Sequence, residues 1–273
     1  MLKQRIITAA ILIPIVIAVI FLLDTVWFSA LFAVFVAIGA WEWAGLCKLS
    51  KKYQYIYSLI TVLILAGLYS ASDSDLYNSV ILSGVVYWII AVILVFLYQK
   101  QRNLLPKSPL VLLIVGLLLL IPMWVSLTVL KSFPENGATL IMFLMLLIWG
   151  ADTAAYFVGK KWGKRRLASR VSPGKTWEGS IGGIVAGIII ALTYVIVSNA
   201  ISNHGMALIG LSILTVSISI IGDLMESMVK READIKDSGS ILPGHGGVMD
   251  RIDSLTAAGP VFALGILHLG IGI

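Results

Sequence analysis

The sequence predicts an all-α, polytopic integral membrane protein with about nine transmembrane helices. Of its 273 residues, 59% are hydrophobic and only 12% are charged, and the mean hydropathy is +0.99. Soluble proteins carry about 25% charged residues, so this chain has roughly half of what a surface facing water needs. The composition therefore excludes an ordinary soluble enzyme, a disordered protein and a nucleic-acid-binding protein.

Nine stretches are long and apolar enough to cross a bilayer, because a helical span needs about 20 mostly apolar residues. The predicted spans are 5–23, 26–46, 53–71, 78–98, 109–130, 138–158, 179–200, 205–225 and 252–272. A signal peptide also begins with basic residues before an apolar segment. Here the apolar run from Ile6 to Leu23 is longer and no small-residue cleavage site follows. We therefore interpret it as an uncleaved first helix.

The basic residues predict the orientation of these spans. With nine spans, 19 of the 20 Lys and Arg residues fall on one side of the membrane, and only Lys131 falls on the other. The positive-inside rule makes the basic side cytoplasmic, together with the N-terminus. The longest connections on that side are 159–178 and 226–251. Because loops often carry function, we expect a scaffold region over 1–137 and a catalytic region over 138–273.

Acidic, basic and glycine residues are concentrated around the eighth and ninth spans. On a helix Asp223, Ser227 and Lys230 share one face, as do Asp250 and Asp253. Paired carboxylates with few histidines favour Mg²⁺, which binds one or two carboxylates together with substrate phosphates. Basic side chains and glycine backbone N–H groups bind phosphate. The candidate phosphate-binding residues are Lys175, Arg231, Lys236, Arg251, Gly246 and Gly247. A solvated loop whose charges cap two helices is the alternative.

Several other polar residues are candidates for positioning or supporting roles. His245 could be a general base, but we favour a positioning role, because a phosphate monoester is already largely ionised at pH 7. The residues Gly174-Lys175-Thr176 do not form a P-loop, since Ser169 replaces the required glycine and we expect no strand before them. Asp152 lies within the sixth span, where acids are usually functional. The candidate supporting residues are Asp152, Ser172 and Asp237.

Two intramembrane features have structural interpretations. Glu42 lies between two tryptophans and is interpreted as an interfacial, structural residue. Gly183 and Gly187 form a Gly-x-x-x-Gly pattern that favours close helix packing, either within the chain or between subunits.

The segment from Ser227 to Asp253 resembles the signature of the phosphatidate cytidylyltransferases, also called CDP-diacylglycerol synthases. The matching residues are Ser227, Lys230, Arg231, Lys236, Asp237, Gly239, Leu242, Pro243, His245, Gly246, Gly247, Asp250, Arg251 and Asp253. The segments around Ser172 and Asp152 are also similar to that family. The first 140 residues resemble it only in length and hydropathy.

The resemblance implies transfer of CMP from CTP to phosphatidic acid of the cytoplasmic leaflet, giving CDP-diacylglycerol and pyrophosphate. It also implies a nine-helix homodimer in the inner membrane of a bacterium, with Asp223 and Asp250 as ligands in a di-metal site that holds Mg²⁺ and a second cation. The expected catalytic residues are Asp223, Ser227, Lys230, His245, Asp250 and Asp253. The alternatives are a membrane lipid kinase and a secondary transporter. The sequence shows no internal repeat of the kind typical of many transporters.

Overall fold

The computed structural model describes residues 2–100, 108–197, 204–241 and 246–270. Within them the helices are α1 (Leu2–Leu22), α2 (Thr25–Leu46), α3 (Lys51–Ala71), α4 (Ser74–Lys100), α5 (Pro109–Ser132), α6 (Gly137–Trp162), α7 (Trp177–Val197), α8 (Gly205–Glu232) and α9 (Met249–Leu269). Eight of these described helices are long and apolar enough to cross a membrane, and α1 contains a shorter apolar stretch, Ala10–Leu22. The predicted all-α polytopic membrane fold is therefore confirmed.

The helices of the C-terminal region extend beyond the predicted spans at the basic end of the bundle. Helix α6 continues to Trp162 and α8 to Glu232, while α9 already begins at Met249. Basic residues occupy the last turns of α6 and α8, where they interact favourably with the negative end of the helix dipole. The polar connections are accordingly shorter than the predicted loops 159–178 and 226–251, and Ser227 and Lys230 lie on a helix.

A two-stranded hairpin joins α6 to α7. Strand β1 (Arg166–Ala168) pairs antiparallel with β2 (Ser172–Thr176), and Val171 between them is fully buried. The expectation that no strand precedes Gly174 is therefore wrong. The strands are too short for a sequence pattern to reveal, and burial of the hairpin against neighbouring helices stabilises them. Lys175 lies within β2 rather than in a phosphate-binding loop, in agreement with the rejection of a P-loop.

Helix α9 lies at the centre of the bundle and packs against α2, α4, α5, α6 and α8. Two-thirds of its apolar segment (67%) is buried, against 17% for α3 at the periphery. The indole nitrogen of Trp88 donates a hydrogen bond to the Thr256 carbonyl oxygen and so ties α4 to α9. The first turn of α9, which carries Asp250, is consequently held by neighbours on several sides.

The Gly-x-x-x-Gly pattern packs within the chain. A Cβ atom at Gly183 would lie 3.0 Å from the Ala151 carbonyl oxygen of α6, and one at Gly187 would lie 2.8 Å from a Val216 methyl group of α8. Glycine at these two positions lets α7 approach both helices closely. That packing fixes the hairpin, which immediately precedes α7, beside the end of α8.

The described basic segments meet at one end of the bundle. The Arg170 guanidinium of the hairpin donates to the Lys100 carbonyl oxygen at the end of α4 (2.9 Å), and the Tyr98 hydroxyl donates to Glu232 at the end of α8. Lys131 lies at the opposite end, where its ammonium group donates to the Ile20 carbonyl oxygen. The described residues therefore separate the basic segments from Lys131 as the sequence predicts.

Candidate active site

The polar faces predicted for α8 and α9 face each other. The Lys230 ammonium nitrogen lies 2.5 Å from Asp250 Oδ1 and 2.9 Å from Glu226 Oε2. The side chains of Lys230 and Asp250 are only 12% and 6% exposed. Burying charges is costly unless they are paired and hydrogen-bonded, and the Lys230–Asp250 pair meets both conditions.

A second ion pair lies at a more open position. The hairpin places the Lys175 ammonium nitrogen 2.8 Å from Asp223 Oδ2, and the Ser227 hydroxyl donates to Asp223 Oδ1 over 3.2 Å. Lys175 and Asp223 are 25% and 34% exposed. Asp152 lies close enough to interact electrostatically with both members of this pair and with Arg251. We call Asp152, Lys175, Asp223 and Arg251 the open half of the site.

Asp250 is held by a dense set of hydrogen bonds. Its Oδ2 atom accepts from the backbone N–H of Ser238 (2.9 Å), the Ser238 hydroxyl (2.9 Å) and the backbone N–H of Gly247 (2.8 Å). With Lys230 on Oδ1, both carboxylate oxygens are occupied. The Asp250 carboxylate therefore fixes the loop before α9 against the end of α8.

Glu42 of α2 also contacts this loop, although the sequence did not assign it to the site. Its carboxylate accepts from the backbone N–H groups of Met249 (2.7 Å) and Val248 (3.1 Å) and from the Ser238 hydroxyl (3.2 Å). Glu42 is 2% exposed, so it is buried rather than interfacial. A carboxylate at a helix N-terminus accepts hydrogen bonds from otherwise unpaired N–H groups and interacts favourably with the positive end of the helix dipole. An acid within an apolar span was the available signal.

Glu226 is the second residue that sequence reasoning left without a role. Its buried carboxylate lies against Asp253 and pairs with Lys230. It occurs within an apolar segment, one position before the signature begins, which again was the available signal. We call Glu42, Glu226, Lys230, Ser238 and Asp250 the buried half of the site; Asp253 lies against it.

The glycines of the loop pack around the two carboxylates that organise it. Gly246 has φ +80°, and a Cβ atom there would lie 2.5 Å from Asp250 Oδ2. A Cβ atom at Gly239 would overlap the Glu42 carboxylate. The N–H of Gly247 is occupied by Asp250. The phosphate contacts expected for Gly246 and Gly247 therefore stay predictions.

The other predicted site residues lie around the cluster. Arg231 donates from Nε to the Val171 carbonyl oxygen (3.3 Å) and so connects α8 to the hairpin. Lys236 and Asp237 are exposed in the connection to α9, and Ser172 begins β2 opposite Ala168. His245 lies outside the described residues.

The donor set fits a hard cation bound together with a substrate. Among the described residues, no three Asp, Glu, His or Cys side chains form a preformed metal cluster. Mg²⁺ does not need one, because it commonly takes one or two carboxylates and completes its shell with phosphates and water. Asp223 is accessible for this purpose. In the described part of the chain, Asp250 Oδ1 accepts from Lys230 alone and is the oxygen that a cation would bind, whereas Oδ2 already accepts from three donors.

The fold and the similarity to known proteins together define an integral membrane enzyme. Residues 3–268 match the model of the cytidylyltransferase family, so the chain belongs to that family. A relative from Pseudomonas aeruginosa, named phosphatidate cytidylyltransferase, is 44% identical over 96% of each chain. A relative of the same name from Haemophilus influenzae is 36% identical over 96% of this chain and 98% of its own. The resemblance to phosphatidate cytidylyltransferases is confirmed, and the protein is a CTP-dependent nucleotidyltransferase rather than a transporter.

Proposed function

We propose that the chain transfers CMP from CTP to phosphatidic acid and releases CDP-diacylglycerol and pyrophosphate. The observation that carries this proposal is the similarity over nearly the whole chain to proteins named for that reaction. The geometry supports it, because two lysines and several carboxylates lie together at the end of a membrane bundle. A lipid phosphate can reach such a site without leaving the bilayer.

The reaction is a displacement at phosphorus. An oxygen of the lipid phosphate attacks the α-phosphorus of CTP in line, a new P–O bond forms, and the bond to the β-phosphate oxygen breaks. The nucleophile needs no protein base, because the second pKa of a phosphate monoester is about 6. Catalysis then rests mainly on positioning and on charge stabilisation.

The lysines of the site supply positive charge where two polyanions meet. Lys175 in the open half exchanges its contact with Asp223 for a phosphate oxygen when the substrates bind. Lys230 in the buried half is fixed by Glu226 and Asp250 and stabilises charge on a phosphate that enters beside it. Arg251, Arg231 and Lys236 attract the triphosphate or the lipid phosphate from the surrounding surface.

Asp223 and Asp250 are the residues that would hold Mg²⁺, with Ser227 and Asp253 orienting them. The cation supplies charge neutralisation for the phosphate oxygens during transfer. A second cation, a homodimer and a cytoplasmic orientation in the inner membrane are further parts of the proposal. The supporting observation for the orientation is the placement of the basic segments.

A single assay separates this function from the lipid kinase alternative. Detergent-solubilised protein is given phosphatidic acid with CTP labelled either in the cytosine or in the γ-phosphate. We expect cytosine label in the lipid and γ-label in pyrophosphate. Transfer of γ-label to lipid, or label transfer that persists with EDTA, would contradict the proposal or its Mg²⁺ requirement respectively.

A further inference from the structure

We propose that the groove between α2 and α3 binds one acyl chain of the lipid substrate, with Trp41 donating a hydrogen bond to an ester carbonyl of the same lipid. The inference rests on the proposed function, since it names where that substrate is held. The groove has a volume of about 480 Å³. Small-molecule sites typically measure roughly 300–1,000 Å³.

The groove exists because one face of α2 carries small side chains. Ala30, Ala33 and Ala37 follow each other at helical spacing and line its floor. Ser58 of α3 also lines it, but its hydroxyl donates to the Ala37 carbonyl oxygen and is satisfied. The described lining residues are therefore mostly hydrocarbon and carry no charge, which suits an acyl chain and not a charged headgroup.

The groove runs along the central part of α2, from Ala30 to Trp41. From Ala30 to Trp41 the helix rises about 16 Å at 1.5 Å per residue. The hydrocarbon core of a bilayer is about 30 Å thick, so the groove spans about half of it. Both helices are candidate membrane spans. A chain that enters at Trp41 would thus run towards the middle of the membrane.

The Trp41 end of the groove adjoins the site. Glu42 is the next residue and accepts from the Ser238 hydroxyl, which also donates to Asp250. Ile241 lines the groove and lies three residues after Ser238 in the same loop. A lipid with its chain in the groove therefore has its phosphate beside the buried half of the site.

Trp41 differs from the other tryptophans of the core. The indole nitrogens of Trp43, Trp88 and Trp124 each donate to a backbone carbonyl oxygen. The Trp41 nitrogen is buried and has no acceptor among the described residues. An unsatisfied buried donor is costly. A lipid ester carbonyl provides the acceptor, which a hydrocarbon tail alone does not.

A larger side chain inside the groove tests whether an acyl chain binds there. Ala33 lies about 12 Å from Trp41 along α2, beyond the reach of a six-carbon chain. We expect Ala33→Leu to raise the KM for dioleoyl phosphatidic acid roughly fivefold, which corresponds to about 1 kcal/mol. The KM for CTP and the KM for dihexanoyl phosphatidic acid should stay unchanged. Ala71→Leu, an exposed position at the far end of α3, is the matched control and should behave as wild type.

A second variant tests the hydrogen bond. Trp41→Phe keeps an aromatic ring and removes the N–H donor. We expect it to raise the KM for the ester-linked lipid but not for the ether-linked analogue, which lacks the carbonyl. Equal changes for both lipids, or an Ala33→Leu effect that is independent of chain length, would overturn the assignment.

Crosslinking makes the inference testable without turnover. Phosphatidic acid with a diazirine on one acyl chain should label the 30–41 segment of the wild type, and excess phosphatidic acid should compete better than phosphatidylcholine. Equal competition would mean that only bulk lipid fills the groove and would overturn the proposal. Wild type that is labelled but transfers no CMP would instead refute the proposed function and leave the binding site standing.

Discussion

The two halves of the candidate site are built from the same residue types but in different surroundings. In the open half, Lys175 and Asp223 form an ion pair that is about one-quarter to one-third exposed. In the buried half, Lys230 and Asp250 are almost enclosed, and Asp250 accepts three further hydrogen bonds. We propose that the two halves have different roles: the buried half fixes the arrangement, and the open half exchanges protein contacts for substrate.

The largest effect is expected for Asp250→Asn. The change leaves Lys230 with Glu226 alone and disrupts the acceptor that holds Ser238 and Gly247. Breaking a buried pair costs about 3–5 kcal/mol. We expect loss of turnover together with a clear fall in melting temperature, measured by thermal unfolding in detergent, in a variant that still inserts into membranes. An unchanged melting temperature would show that the buried half is not the fixed part.

Asp223→Asn should abolish turnover to a similar extent but leave stability nearly unchanged. An accessible ion pair contributes about 0–1 kcal/mol, so its loss hardly affects the fold. CMP transfer and the melting temperature are measured on the same preparation. Near-normal turnover would refute Asp223 as a metal ligand, and a melting temperature as low as that of Asp250→Asn would remove the distinction between the halves.

Glu42 tests whether the N-terminal region takes part in forming the site. Glu42→Ala leaves the N–H groups of Val248 and Met249 without their acceptor, and loss of a helix cap costs about 0.5–2 kcal/mol. We expect a moderate loss of stability and activity. Glu42→Gln retains one amide oxygen and should recover a large part of both. Equal effects of the two variants would mean that the charge, rather than the hydrogen bonds, matters.

Lys175→Ala should give the smallest change in stability and a selective change in kinetics. Its ion pair is partly solvated, so the melting temperature should stay near that of the wild type. We expect a higher KM for CTP and weaker salt dependence of that KM, because a phosphate contact from the open half is lost. Lys175→Arg keeps the charge and is the control. A KM for CTP that matches the wild type would exclude Lys175 as a CTP phosphate contact.

Much of the site could be predicted because its residues lie close together along the chain. Asp223, Ser227 and Lys230 share a face by helical spacing, and the structure pairs Lys230 of that face with Asp250 and Asp223 with Lys175 of the hairpin. The contact between Glu42 and the loop could not be predicted, because the two lie about 200 positions apart and only the packing of α2 against α9 brings them together. The hairpin was missed for a related reason, since its short strands depend on neighbouring helices for burial.

The division between a scaffold over 1–137 and a catalytic region over 138–273 stays a prediction. The contact of Glu42 with Val248 and Met249 nevertheless shows that α2 supports the loop of the later region. The groove beside Trp41 also joins the two regions, because Ile241 of the loop before α9 lines it together with residues of α2 and α3. Both features involve helices of the region over 1–137, which the family model also matches from residue 3 onwards.

The sequence by itself determined the polytopic all-α membrane fold, the separation of the described basic segments from Lys131 and the family. These follow from composition, from local periodicity and from one long motif, all of which can be read along the chain. Only the tertiary structure decided that Lys230 pairs with Asp250, that Lys175 pairs with Asp223 and that Glu42 caps α9. Such pairings depend on which helix ends meet in the bundle. Once a pair is buried, removal of one partner leaves the other as an uncompensated charge, which is strongly destabilising.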